Sequence, residues 1–323
     1  MNHQFSSARV SQYHAVTPTV GIPKGLMFFE HGQLWEDFFK RLECRVVFSG
    51  RTTKEILEAG IERCSNETCL PVKIFTGHAA SLSGKSDYVF VPRYSSVCRH
   101  EMACPKFCAL PDEVRASLKN NIRLIEVAID FDKGERKTRE SLTKLAHTLG
   151  KDEAEVMNAF SDAVKAELTA DSQNAPHLCT DEVPVIAVLG HPYMIYDKLL
   201  SMNLIDKLQA AGYRVLTPYD VERSVRRLNA DPFLGRNFYQ TGRDILGSAR
   251  VFLSMTELVG MVYLTPFACG VDSLVTEFIE RRLRNGRWVP FLKITIDEHS
   301  GEAGFDTRLE AFLDMLPRAG AAG

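Results

Sequence analysis

Val183-Pro-Val-Ile-Ala-Val-Leu189, closed by Gly190-His-Pro-Tyr193, is the stretch of this chain that decides its fold. A short apolar run with no polar alternation predicts a strand buried on both faces, the habit of parallel sheets covered by helices. Outward from it, Tyr196–Ala210 predicts a helix and Arg214–Thr217 a strand. Val251–Ser254, Val262–Leu264 and Phe291–Ile296 predict further strands, with a helix over Ser273–Arg284. The N-terminal part repeats the alternation. Val20–Pro23 predicts a strand that enters a turn at Pro23–Gly25. Leu34, Trp35, Phe38, Phe39 and Leu42 then recur at helical spacing. Arg45–Ser49 predicts the next strand. Thr52 with Glu55 fits a capping box that opens a helix containing Ile56 and Leu57, and Asp87–Pro92 predicts a third strand. Strands alternating with helices imply an α/β fold with doubly wound, mostly parallel sheets.

Between the two alternating parts the pattern changes. Leu142, Leu145, Leu149, Val156, Phe160 and Val164 recur every three to four residues, which predicts an amphipathic helical insertion. Asp171–Glu182 is polar and contains proline, as a linker does. The expected organisation is a loose tail over 1–19, an α/β domain over 20–110, a helical segment and linker over 111–182, and a second α/β domain over 183–323.

The chain has 323 residues, enough for two domains with their own cores. A formal net charge of −2 gives no electrostatic case for nucleic acid or an anionic membrane. No apolar run approaches the roughly 20 residues needed to span a bilayer. The polar start lacks the apolar core of a secretory signal, so the expected location is the cytoplasm. In that reducing compartment the eight cysteines point to metal binding or catalysis rather than disulfides, with buried free thiols as the alternative.

Three contexts hold the cysteines of interest. Cys69 lies in Glu67-Thr-Cys-Leu-Pro-Val-Lys73, before an apolar helical stretch. Cys98, Cys104 and Cys108 lie in Val97-Cys-Arg-His-Glu-Met-Ala-Cys-Pro-Lys-Phe-Cys-Ala-Leu-Pro111. Cys269 lies in Pro266-Phe-Ala-Cys-Gly-Val-Asp272. All three read as loops beyond the carboxyl ends of strands, where open α/β sheets collect ligands. Thiolates suit zinc, copper(I) or iron–sulfur clusters. The spacing matches neither a zinc ribbon nor a ferredoxin run, so it leaves zinc, a cluster and core thiols all open. Cys44 reads as core, Cys64 as a neighbour of the site, and Cys179 as incidental.

Glu67-x-Cys69-x-Pro71-x-Lys73, Cys104-Pro105-Lys106 with Leu110-Pro111-Asp112, and Cys269-Gly270-x-Asp272-Ser273 together resemble one family. Gly190-x-Pro192-Tyr193 with Tyr196-Asp197, and the tail from Ile296 to Phe312, extend the match from about Val20 to about Leu316. The chain resembles the CoA protein activase or acyl-CoA dehydratase activase-related proteins. That group is akin to the cluster-bearing subunits of 2-hydroxyacyl-CoA dehydratases, benzoyl-CoA reductases and double-cubane cluster proteins. The resemblance implies two flavodoxin-like domains with a [4Fe-4S] cluster in the cleft between them, held by Cys69, Cys104 and Cys269. Glu67 and Gly270 belong to the same motifs. Cys98 and Cys108 flank Cys104 as spare thiols or as ligands of a larger cluster. The resemblance further implies an ATP-dependent, cluster-bearing reductase as electron donor, an acyl-CoA or other small molecule as acceptor, and a homodimer or heterodimer. Whether the chain is itself a reductase or dehydratase component is left open, and the alternative is a non-catalytic accessory or maturation protein.

Lys73 and Lys106 read as counter-charges to a cluster or as surface lysines. His191 reads as a strand-end contact to the site or a turn histidine. Asp297, Glu298 and His299 with Arg308 read as capping and ion-pair residues in preference to an acid–base set. Neither G-x-x-x-x-G-K-[ST] nor G-x-G-x-x-G occurs, so no ATP site is expected in this chain.

Overall fold

The computed structural model describes residues 17–97, 99, 101–119, 122–132, 134–173, 183–230 and 239–316. Its first half runs β1 (Thr19–Ile22), α1 (Phe28–Arg41), β2 (Arg45–Phe48), α2 (Lys54–Ile61), α3 (Leu70–Ser81), β3 (Tyr88–Phe90), β4 (Arg93–Ser96), α4 (Pro105–Leu118), β5 (Leu124–Ile125), β6 (Ala128–Asp130), α5 (Arg136–Leu149) and α6 (Glu153–Gln173). The second half runs β7 (Val185–Gly190), α7 (Pro192–Tyr196), α8 (Leu204–Ala210), β8 (Arg214–Leu216), α9 (Arg223–Asn229), α10 (Gln240–Leu253), β9 (Leu258–Pro266), α11 (Gly270–Arg284), β10 (Phe291–Ile296) and α12 (Glu302–Leu313).

Two four-stranded sheets organise these elements, in the orders β2-β1-β3-β5 and β10-β9-β7-β8. Every pairing in both is parallel. Counted within each half, both orders are 2-1-3-4, the doubly wound flavodoxin order, with its switch point between the first and third strands. The opening stretch behaves as its composition demands. In β7, Ile186 and Val188 face one core cluster while Val185, Ala187 and Leu189 face another. In β9, Val262 and Leu264 join the first cluster and Met261 and Tyr263 the second. In β7 this period-two alternation with both faces buried leaves no polar position. The first cluster also holds Val20, Trp35, Phe38, Phe39 and Phe90, so the two halves share one continuous core.

Polar links cross between the halves as well. The Lys73 ammonium, 1% exposed, reaches Glu298 Oε1 at 2.6 Å and the Asn66 carbonyl at 3.1 Å. Buried His78 contacts Ser49 Oγ at 2.8 Å and Thr52 Oγ1 at 2.9 Å, and the Thr52 hydroxyl donates to Asp197.

Four local expectations change. Val251–Ser254 is not a strand but the end of α10, because Ile245, Leu246, Ala249 and Phe252 bury themselves at helical spacing. The helix expected over Tyr196–Ala210 is broken between α7 and α8. There Asp197 Oδ1 takes the N–H groups of Leu199 and Leu200 at 2.9 and 3.3 Å, and Met202 and Asn203 adopt φ of 48° and 56°. The cap of α2 is Thr53, not Thr52. The segment expected over 111–182 as helical segment and linker also contributes β5, which pairs with β3, and β6, which pairs with β4. The tail expected over 1–19 and the linker around Cys179 lie largely outside the described residues.

Candidate metal centre

Among the described residues three helices begin on a cysteine. Cys69, Cys104 and Cys269 are the N-cap residues of α3, α4 and α11. Pro105 follows Cys104 at the first helical position and Pro71 follows Cys69 at the second, where a missing N–H is cheapest. Each sulfur therefore sits where a helix presents free N–H groups and the positive end of its dipole. The Asp272 N–H donates to Cys269 Sγ at 3.5 Å. The backbone N–H groups of Val72 and Lys106 pull the Cys69 and Cys104 thiols down in the same sense.

The three thiols also sense one another. Burial pushes the Cys69 thiol up to about 11, and the charges of Cys104 and Cys269 add to that while Lys106 opposes it. Burial likewise raises Cys104, with Cys269 adding and His191 and Lys106 opposing. Tyr193 is raised first by its own burial, then by Cys269, Asp272, Cys69 and Cys104 together. The structure thus brings one cysteine from the second half and two from the first around a common space. Burial makes the Cys69 and Cys104 sulfurs costly to ionise on their own, yet all three cysteines sit at helix N-termini. A cationic metal core relieves that cost, so the donor set fits a thiolate-held metal group.

At Cys269 the site gains a second set of groups. His191 follows β7 and Cys269 follows β9, adjacent strands at the switch point of the second sheet. Gly190 holds φ at 144°, and a Cβ there would lie 2.6 Å from the Leu264 carbonyl oxygen, so only glycine lets β7 end this close to β9. His191, 3% exposed, places Nε2 at 3.1 Å from Oδ1 of the fully buried Asp272 and at 3.8 Å from Cys269 Sγ. Burial lowers the His191 pKa, but the Asp272 and Cys269 charges outweigh it and hold the imidazole well above its ordinary value. The Tyr263 hydroxyl donates to Asp272 Oδ1 at 2.7 Å. The Tyr193 ring stacks on His191 at 4.9 Å and 7°, and Phe107 of α4 meets Tyr193 edge-on. His191 Nε2, Cys269 Sγ and Asp272 lie within 4.8 Å of one another, close enough for one metal ion.

The remaining expected residues fall as follows. Glu67 is exposed on the turn before α3, and Gly270 opens α11 with open space where a Cβ would be. Cys108 lies one turn inside α4, its Sγ 3.3 Å from Ser95 Oγ, and Cys98 lies outside the described residues. Cys44 is buried, and burial raises its thiol to about 11, in keeping with a core role. Of the two lysines, Lys106 pairs with Glu113 at 3.4 Å and also acts on the thiols, while Lys73 is committed to Glu298. Asp297 caps its own turn through Ser300 and His299, the structural role expected of it. Cys69 follows the helix α2 rather than a strand, contrary to the expectation that all three loops extend strand ends. Asp272 and Tyr263 carry no sequence signal as site residues beyond the acidic third position after Cys269.

Residues 19–221 match the family described as "CoA enzyme activase uncharacterised domain". No curated protein matches the chain. Among solved structures, the SBP FpvC from Pseudomonas aeruginosa in complex with Mn2+ aligns at 11% identity over 92% of this chain and 99% of its own, with a TM-score of 0.27. Zn(II)-bound AdcA from Streptococcus pneumoniae aligns at 9% identity over 92% of this chain and 56% of its own, with a TM-score of 0.28. Likenesses this low carry no argument about fold or function. No helix among the described residues is long and apolar enough to cross a membrane.

Proposed function

Because this chain belongs to the CoA enzyme activase uncharacterised-domain family, we propose that it is an iron–sulfur redox protein akin to the cluster-bearing subunits of 2-hydroxyacyl-CoA dehydratases. In this reading Cys69, Cys104 and Cys269 hold a [4Fe-4S] cluster. The observation that carries it is that all three cysteines cap helix N-termini and share one electrostatic environment. When bound, such a group supplies one-electron transfer at low potential, with an iron left open by a three-thiolate set.

The chain's own residues then have definite tasks. The three thiols release their protons on loading, and the N–H groups of Val72, Lys106 and Asp272 take up part of the resulting charge. Lys106, paired with Glu113 Oε1 at 3.4 Å, adds positive charge from the half-exposed side. Tyr193 and Phe107 wall the space with aromatic surface and keep water from the sulfurs. The electron donor is an ATP-dependent, cluster-bearing reductase, and the acceptor is an acyl-CoA or other small molecule.

A second reading is favoured by one observation: a single metal ion on His191, Cys269 and Asp272, whose ligand atoms lie within 4.8 Å of one another. The two are separated by mixing the anaerobically reconstituted protein with an ATP-driven reductase and following its visible absorption. ATP-dependent bleaching of a brown chromophore supports the redox reading. A colourless protein holding one zinc or iron per chain supports the other.

A further inference from the structure

We propose that His191, anchored by Asp272 and Tyr263, is a positioning residue that donates through Nε2 to the Cys269 sulfur and sets how readily the bound group accepts an electron. The inference rests on the cluster reading of the same site and names a device within it. Its geometry is independent of any ligand. Nε2 lies 3.8 Å from Cys269 Sγ and 3.1 Å from Asp272 Oδ1, and sulfur forms its hydrogen bonds at such longer distances. The imidazole cannot turn away. It lies 3% exposed under the parallel Tyr193 ring, and its backbone follows a glycine that no other residue replaces without clash. Asp272 is fixed in turn: it is fully buried on the first turn of α11, and its Oδ1 takes the Tyr263 hydroxyl at 2.7 Å.

Asp272 has a double part. Its N–H donates to Cys269 Sγ at 3.5 Å, while its carboxylate holds the imidazole beside the same sulfur. Cys269 therefore has a backbone donor and a side-chain donor, the latter being the one Nε2–H that His191 shares between Asp272 Oδ1 and the sulfur. Cys104 feels the His191 charge too, which lowers its thiol, so the influence of the ring extends across the site. Reduction adds negative charge to the metal and its sulfurs. A donor fixed beside one sulfur stabilises the reduced state more than the oxidised one, and hydrogen bonds to sulfur are a recognised lever on cluster potential.

The test is a redox titration at one fixed pH of the reconstituted full chain and of His191→Phe, His191→Gln and Asp272→Asn. Iron per chain and thermal stability are measured on each. Phe keeps the stacking surface and removes the donor, whereas Gln keeps an N–H. The expected result is unchanged iron with the midpoint potential displaced to more negative values in H191F and less so in H191Q, and to more positive values in D272N, whose amide competes less for the shared Nε2–H. Should H191F fail to accumulate, the same ordering is read between D272N and H191Q. Equal potentials across the series at equal iron overturn the inference and leave the cluster reading standing. Loss of iron from H191Q at unchanged thermal stability also overturns it, because His191 is then a ligand and not a donor to one. Absence of iron from the unsubstituted chain overturns the cluster reading itself.

Discussion

The two sheets of this protein share one strand order and use it differently. In the second half, the switch point between β7 and β9 carries Gly190, His191 and Cys269, with Asp272 buried behind them. In the first half, the equivalent place between β1 and β3 is filled by Ile22, Pro23, Leu26, Phe75, Phe90 and Pro92 around a cavity of about 20 Å³. That volume holds a water molecule at most. The first half sends its cysteines in from the side instead, on the N-termini of α3 and α4. Topology offers both halves a site, and side chains decide which one stays open.

The sharpest way to break this comparison is to remove a thiol. Cys69→Ser, Cys104→Ser or Cys269→Ser each abolish iron loading, whereas Cys44→Ser leaves iron per chain unchanged; anaerobic reconstitution followed by iron assay reads the difference. Equal losses from Cys69 of the first half and Cys269 of the second show that both halves supply the site. The next largest effect contrasts two glycines. Gly190→Ala forces a Cβ to 2.6 Å from the Leu264 carbonyl at a φ of 144° and lowers stability by roughly 2–4 kcal/mol in urea unfolding. Gly25→Ala, at the packed end, meets only the Phe75 side chain and backbone at 3.3 Å or more and costs about 1 kcal/mol or less.

A pH prediction concerns the link between the halves. Burial lowers the His78 pKa from 6.5 to about 4, so the folded protein holds this imidazole neutral while the unfolded chain binds a proton below pH 6.5. The stability that depends on the neutral imidazole is complete above pH 6.5 and is lost as pH falls toward 4, the loss amounting to about 2 kcal/mol at pH 5. Unfolding of the native chain and of His78→Gln at pH 7 and pH 5 checks this, the variant showing the smaller loss on acidification. The smallest effect lies beside Cys269. Ala268 holds a φ of 65°, and Ala268→Gly relieves it, raising stability by roughly 1 kcal/mol.

Much of the fold was legible in the residues. The unbroken apolar run before Gly190 announced a strand buried on both faces, and the aromatic spacing of Trp35, Phe38 and Phe39 announced α1. Val251–Ser254 misled because β-branched and apolar residues at the end of a helix look like a strand until their spacing to Ile245 and Ala249 is counted. Leu124–Ile125 was missed because two residues carry no period at all. The cysteine set was named through resemblance to a family, while spacing alone left the metal open. What no local pattern displayed is the pairing of His191 with Asp272. These residues meet only because β7 and β9 are neighbours in space, and Tyr263 joins them from the middle of a strand otherwise read as core.

The account stands most directly on iron and acid-labile sulfide measured in the anaerobically purified, reconstituted chain. It predicts a brown protein with roughly four irons and four sulfides per chain. A colourless chain without iron or sulfide after reconstitution would contradict it.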